Sequence, residues 1–576
     1  MSMNTPTTAS APAWRIAVIG LVAVLAAGIG LALGGFLLSN RSAAVVGGGA
    51  EYVPASAPLY FEMRFEPSTD QDGALRELLG RFPEIEGVDL DRPLYEQMTE
   101  RLDEMLADED ADVSWSRDVA PWFDGHIGLA VLDIPLGELA EDPMPSMVIM
   151  LGVTDATAAE ASIERLIAEM GTSTFTDEVH DGVTIRVSDD EGAYALTDDQ
   201  LLVAPAAADI VTALDAHAAG STTLAAVGEI TRLTDALPSD WLAFGIYDFT
   251  DIMAAAIAEG QGQSPAMAEA FADLLEHQPL RGAMAVTAAG DRMAVDVATD
   301  PPTGPFTVEN EERGLAAEVP ADTLYYAEAG NLGLTLAAVI EPIKEAAASV
   351  PEGEEQVAMI EAALGADLEE LVSWIDDGAV SIGFDGSQPY GGMVLVPNDM
   401  AAAERRLSQL ISFAGLAAID PSSGISVEEG EVGSVNVTTI RWEDPNAMPP
   451  DPMLPIPTGV VMQVAVTDDR ALIGLGEDFV GRVLELDPSD TLASVARYSD
   501  AIDDLGGATN TGVAWMDLTG IREAIETALA AEIESMDTAG FYLTEIRPWL
   551  LPLDRIVGVS RLEGDVHLQR SVLLIE

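Results

Sequence analysis

The chain has 576 residues, with 26 Lys and Arg against 98 Asp and Glu, a net charge of −72, no cysteine and five histidines. Without cysteine there is no disulfide framework, zinc ribbon, thiolate nucleophile or iron–sulfur site. A field of this sign repels nucleic acid, whose phosphates need clustered Lys and Arg. Lys344 is the only lysine, and it sits in Glu341-Pro342-Ile343-Lys344-Glu345 with no glycine, which excludes a Walker-type phosphate loop. Two readings of the acidity stay open: adaptation to high salt, or an Arg- and Ala-rich coding bias beneath an acidic secreted surface.

In chain order, residues 1–15 read as a short cytoplasmic tail. Ile16 to Leu38 is an uninterrupted apolar run of 23 residues, flanked by Arg15 and Arg41, with Trp14 placed to anchor at the interface. About 20 apolar residues span a bilayer core as helix. A signal-peptide core is shorter, about 7–15 residues, so the run reads as a single-pass signal anchor. The alternative is a leader cleaved near Ser42-Ala43-Ala44. All acidic residues lie beyond Ala50, and the positive-inside rule leaves the N-terminus in the cytoplasm and the bulk of the chain outside. Gly30 and Gly34 allow close helix packing, although a lipid-facing Gly/Ala-rich helix needs no partner. Residues 39–50 read as a flexible stalk.

Beyond the stalk the sequence repeats itself. Val53-Pro54-Ala55 leads to Leu59-Tyr60-Phe61-Glu62, and Val319-Pro320-Ala321 leads to Leu324-Tyr325-Tyr326-Ala327-Glu328. Trp122-Phe123-Asp124-Gly125 answers Trp374-Ile375-Asp376-Asp377-Gly378. Thr197-Asp198-Asp199 answers Thr467-Asp468-Asp469, and Gly290-Asp291 answers Gly564-Asp565. Matches in the same order imply two copies of one unit, residues 51–300 and 315–576, joined by a Pro-rich linker over 301–314.

Within copy one, Met147 to Val153 is a buried-strand run, and Asp155 caps a helix with Ile163, Leu166, Ile167 and Met170 on one face. Copy two repeats this with a strand over Met393 to Val396, a cap at Asn398, and Met400, Leu407, Leu410 and Ile411. Val183 to Val187 alternates as a half-buried antiparallel strand does. Helices follow near 207–217 and 222–236, then a strand near 240–248 and a closing hairpin. The fold class is α+β: a transmembrane helix, then a duplicated, largely antiparallel sheet-plus-helix ectodomain.

The Val-Pro-Ala opener with its following Leu-Tyr, the Trp-x-Asp-Gly strand start after an acidic helix, and the anchor together resemble an uncharacterised bacterial membrane-anchored family, domain of unknown function 3352. The resemblance implies an envelope protein and carries over no catalytic residue.

Candidate chemistry is sparse. His126, His180, His217, His277 and His567 show no zincin spacing. Asp108, Asp110 and Asp112 imitate the start of a calcium loop, but Val113 and Val119 stand where its Gly and Glu belong. Gly474-Leu475-Gly476 lacks the third glycine of a dinucleotide loop in place and reads as a strand–helix turn. Trp122 and Trp374 read as packing residues. Residues 443–458 carry so many prolines that they favour an extended surface segment; it reads first as an insertion without a role, and alternatively as a rod offering Met448, Met453, Leu454 and Ile456 to a partner. No catalytic, cofactor or metal residue is singled out. The expectation is a non-enzymatic envelope binding or scaffold module, held in the lipid bilayer by residues 16–38 and meeting an envelope protein partner. The alternatives are a carrier of an apolar ligand between the copies and a metal-assisted hydrolase.

Overall fold

The computed structural model describes residues 48–85, 87–108, 113–134, 145–170, 174–189, 192–261, 265–348, 353–386, 388–419, 424–443, 459–476, 478–528 and 539–576. The apolar run 16–38, Asp110 and Asp112, and the Pro-rich residues 444–458 lie outside them. Among the described residues no helix is long and apolar enough to cross a membrane.

Strand formation follows the alternation of the sequence. In the first part of the chain the strands are β1 (Leu59–Arg64), β2 (Phe123–Asp133), β3 (Ser146–Val153), β4 (Phe175–His180), β5 (Val183–Ser188), β6 (Ala193–Leu196), β7 (Gln200–Ala204), β8 (Ala243–Asp248), β9 (Arg281–Ala289) and β10 (Arg292–Thr299). The short β11 (Glu311–Glu312) follows. The second part holds β12 (Thr323–Ala329), β13 (Ile375–Phe384), β14 (Pro389–Pro397), β15 (Ile425–Val432), β16 (Val435–Glu443), β17 (Gly459–Val466), β18 (Ala471–Leu475), the short β19 (Thr509–Asn510), β20 (Gly512–Asp517), β21 (Leu553–Glu563) and β22 (Val566–Ile575).

Apart from the β11–β19 ladder, all of these form one sheet of 20 strands. Every pairing is antiparallel. From one edge the first half runs β4, β5, β6, β7, β3, β2, β1, β8, β9, β10. From the other edge the second half runs β15, β16, β17, β18, β14, β13, β12, β20, β21, β22. The two half-sheets meet where β10 pairs with β22. The edge strands β4 and β15 expose Asp177, Glu178, Glu428, Glu429 and Glu431, charges that oppose edge-to-edge association.

Each face of the sheet carries helices. On one face, helices Ala207–Ala219 and Gly228–Thr234 cover a core of Tyr60, Ala130, Met150, Leu202, Trp241 and Phe244. Helices Phe479–Leu484 and Ala496–Asp504 do the same over Tyr326, Val394, Leu472, Trp515 and Val557. On the opposite face, helix Ala156–Met170 packs over Ile127, Leu129, Ile149 and Trp122. Helices Leu332–Ala348 and Met400–Ala417 pack over Trp374, Leu395 and Val464.

Local expectations are refined in four places. The helix after β14 is capped by Asp399, whose carboxylate accepts from the Ala402 N–H at 3.1 Å. Asn398 is drawn instead to the turn before β13, its N–H donating to Trp374 O at 2.9 Å and its amide to Ser373 O at 3.0 Å. The stretch 222–236 is not one helix: a 3-10 turn Leu224–Ala226 breaks at Val227 before helix Gly228–Thr234, which lets Leu224, Ile230 and Leu233 all reach the core. Gly48 to Ala50, expected in the stalk, begin a 3-10 helix with Gly49 and Ala50 buried. A Cβ at Gly49 would stand 2.7 Å from the Tyr60 hydroxyl, so the close approach requires glycine. Over 301–314, Phe306 and Arg313 are buried, so the linker packs against the domain rather than standing off as a spacer.

Candidate functional site

The histidines are dispersed. His126 Nδ1 lies 3.3 Å from Glu62. His217 stacks on Tyr52 with ring centroids 4.0 Å apart. His277 Nδ1 meets Thr303 at 3.1 Å. His567 is buried against Thr511 at 3.1 Å, and burial holds its imidazole down to about 4. His180 ends β4 at an Asp181-Gly182 turn with positive φ at both residues, and its Nε2 meets Asp215 at 2.6 Å. That hydrogen bond raises the imidazole above its ordinary value. His180, Asp181 and Asp215 thus offer three ligand atoms close together, with both aspartates exposed. Trp122 and Trp374 are core residues, each donating its indole N–H at 2.7 Å to a backbone carbonyl, of Asp118 and Leu371 respectively. Gly474-Leu475-Gly476 ends β18 before helix Phe479–Leu484, with Gly476 at φ +91°.

Buried acids, which the sequence did not single out among 98 candidates, recur at matching places. The Tyr60 hydroxyl donates to Glu62 at 2.7 Å, with both side chains inside the core face. The Tyr326 hydroxyl donates to Glu328, which also accepts the N–H groups of Gly314 at 3.0 Å and Leu315 at 3.2 Å. Burial raises the Glu328 carboxyl above the carboxylate range against the pull of these donors and of Arg313. The pair ties the 3-10 segment Leu315–Glu318 to the strand two residues past its tyrosine. The signal was present in the sequence as Tyr-x-Glu in both openers.

The junction of the half-sheets is polar. Asp296 on β10 is fully buried and faces Arg570 on β22 at 3.7 Å. Around it, Arg232 bonds Asp300 and donates to Asp565 O at 2.8 Å, and Arg292 reaches Asp504 at 3.5 Å. A cavity of about 210 Å³ opens here, lined by Asp291, Arg292, Asp500, Asp504 and Arg555 with a floor of Val557 and Val572. An open cleft of about 600 Å³ lies elsewhere, between helix Leu94–Asp108 and the loop before it, lined by Val88, Leu94, Gln97, Met98 and Arg101.

The feature with the widest extent is on the surface. Helices on the Ala156–Met170 face leave large apolar side chains in solvent: Met105, Phe271, Leu334, Ile343, Met359, Phe413, Leu416, Ile525, Phe541, Leu543 and Trp549. On the opposite face, the described helices Ala207–Ala219, Gly228–Thr234, Phe479–Leu484 and Ala496–Asp504 expose none. Several of these apolar groups straddle the junction. Helix Pro265–Glu276 of the first half packs on Leu332–Ala348 of the second. Reciprocally, Trp549 stacks on Phe82 with centroids 6.2 Å apart.

Comparison with known proteins places the chain. The family model described as "Protein of unknown function (DUF3352)" matches residues 16–544, and the chain belongs to that family. No curated protein matches it. Two solved structures, crystal forms III and I of TP0453, are 7% and 8% identical over 44% of this chain and 80% and 79% of theirs, with TM-scores of 0.23 and 0.21.

Proposed function

We propose that the protein is a membrane-anchored, extracytoplasmic binding or scaffold module without catalytic chemistry, and that its contact surface is the helical face bearing the exposed apolar side chains. One observation carries the reading: the two helical faces of a single sheet differ in apolar exposure. Exposed apolar groups gathered on one face mark contact surfaces, whereas scattered ones mark nothing. The anchor over 16–38 rests on the length and composition of that run. The duplication is supported by the mirrored strand order of the two halves and by the repeated Tyr-x-Glu and Trp-to-carbonyl bonds.

The carrier reading finds less support, because the cavity between the halves is small and lined with charge, whereas apolar ligands occupy pockets of about 300–1,000 Å³ lined by apolar groups. The hydrolase reading rests on the trio of half-buried His180 and exposed Asp181 and Asp215 alone.

The test is photocrosslinking in intact cells. A benzophenone amino acid at Ile343, Leu416 or Trp549 is expected to give discrete adducts, and at Asp209, Glu229 or Asp500 on the other face it is expected to give none. Equal labelling from both faces sinks the assignment of the surface. Protease added to intact cells should digest the domain; digestion only after lysis removes the extracytoplasmic placement.

A further inference from the structure

The turns Gly290-Asp291 and Gly564-Asp565 close the equivalent hairpins β9–β10 and β21–β22. Counting from those turns, Asp296 and Arg570 occupy the same position in their strands. They are also direct register partners in the β10–β22 ladder. Both conditions hold together only for residues on the two-fold axis that relates the halves. The axis therefore passes through one acid and one base, at the centre of the ladder that joins the half-sheets.

The surroundings of Asp296 are poor in donors. It points to the same face as Ala294 and Ala298, with Ala285 of β9 opposite, and all three are core residues. Neither carboxylate oxygen accepts a hydrogen bond from a protein donor. The charged groups facing it are Arg570 from β22 at 3.7 Å and Arg561 from β21, which is itself engaged by Glu563 at 2.8 Å. From the helices over this face come Arg232, held by Asp300 and Asp565, and Asp504, held by Arg292. A buried carboxylate whose oxygens accept no hydrogen bond does not recover its desolvation cost from one cation 3.7 Å away.

We propose that this axial pair makes the joint between the halves pH-responsive: with Asp296 neutral the β10–β22 seam is closed, and ionisation of Asp296 loosens it. Burial raises the Asp296 carboxyl to about 7, against the pull of Arg570 and then Arg561. A carboxyl raised in the folded state stabilises the fold fully below its unfolded value, and that contribution is lost as pH rises through the folded value. The response therefore falls around neutrality, with the tighter joint on the acid side.

The native chain has no cysteine, so spin labels go only where they are placed. Labels at Ala226→Cys and Ala496→Cys, one on each half, report the inter-half distance by double electron–electron resonance in the full chain. Between pH 6 and pH 8 the distance distribution is expected to broaden, and with Asp296→Asn it is expected to stay constant. An unchanged distribution across that range, or the same broadening in Asp296→Asn, overturns the proposal. Arg570→Gln supplies an independent check. Loss of the cation is expected to move the transition to higher pH, and a transition that does not move, or moves to lower pH, counts against it.

Discussion

The two faces of the sheet use their helices differently. Helices Gly228–Thr234 and Ala496–Asp504 spend their large apolar side chains on the core: Ile230, Leu233, Tyr498 and Ile502 are all buried. Helices Leu332–Ala348 and Met400–Ala417 divide theirs. Leu336 and Leu407 pack on the sheet, while Leu334, Ile343, Phe413 and Leu416 stay in water. Burying a large apolar side chain is worth roughly 1.5–3 kcal/mol, so leaving several exposed on one face forgoes stability that the other face collects. In a chain of net charge −72, where solubility comes readily from repulsion, such a face is tolerable in isolation and available to a partner.

That contrast can be broken or sharpened by substitution. The largest effect is expected on the core side: Trp515→Ala, which removes a side chain 2% exposed, should cost about 3–5 kcal/mol in denaturant unfolding. Next comes the axial pair. On the alkaline side of neutrality, where Asp296 is ionised, Arg570→Leu should cost about 3–5 kcal/mol by stranding its buried charge, while the exchange Asp296→Arg with Arg570→Asp should recover most of the loss, because the two positions are register partners and the pair is restored. An exchange no better than the single variants would refute the two-fold relation. A smaller loss, about 1–3 kcal/mol, is expected for Tyr326→Phe, which removes a donor from buried Glu328. On the other face, Ile343→Ser and Leu416→Ser should change stability by no more than about 0.5 kcal/mol yet abolish the crosslinks. The smallest effect belongs to His180. Its hydrogen bond to Asp215 raises the imidazole, so its stabilisation is present at acid pH and fades as pH rises through the raised value. Thermal melts of His180→Gln should differ from the native chain on the acid side only.

Much of this was readable in advance, for reasons that particular residues make plain. Strand β5 and helix Ala156–Met170 were legible because a period of two or of 3.6 is written in neighbouring residues. The paired turns at Asp198-Asp199 and Asp468-Asp469 were legible because turn chemistry is local. The cap at Asp399 was missed by one residue, because Asn398 finds its partners on a distant loop. Glu62 and Glu328 left a trace in the repeated Tyr-x-Glu, each bonding the tyrosine two residues before it on its own strand, whereas Asp296 was invisible: nothing in its neighbours in sequence reports that an arginine of another strand faces it.

The sequence alone determined the charge, the apolar run and most of the element types, since each depends on composition or on short-range spacing. The tertiary structure decided that β10 and β22 join the two half-sheets edge to edge, that Asp296 meets Arg570 across that seam, and that one helical layer keeps its apolar groups in solvent. Strand partnership and burial are set by which distant surfaces exclude water together, and the alternation of a strand marks two faces without saying what will cover either.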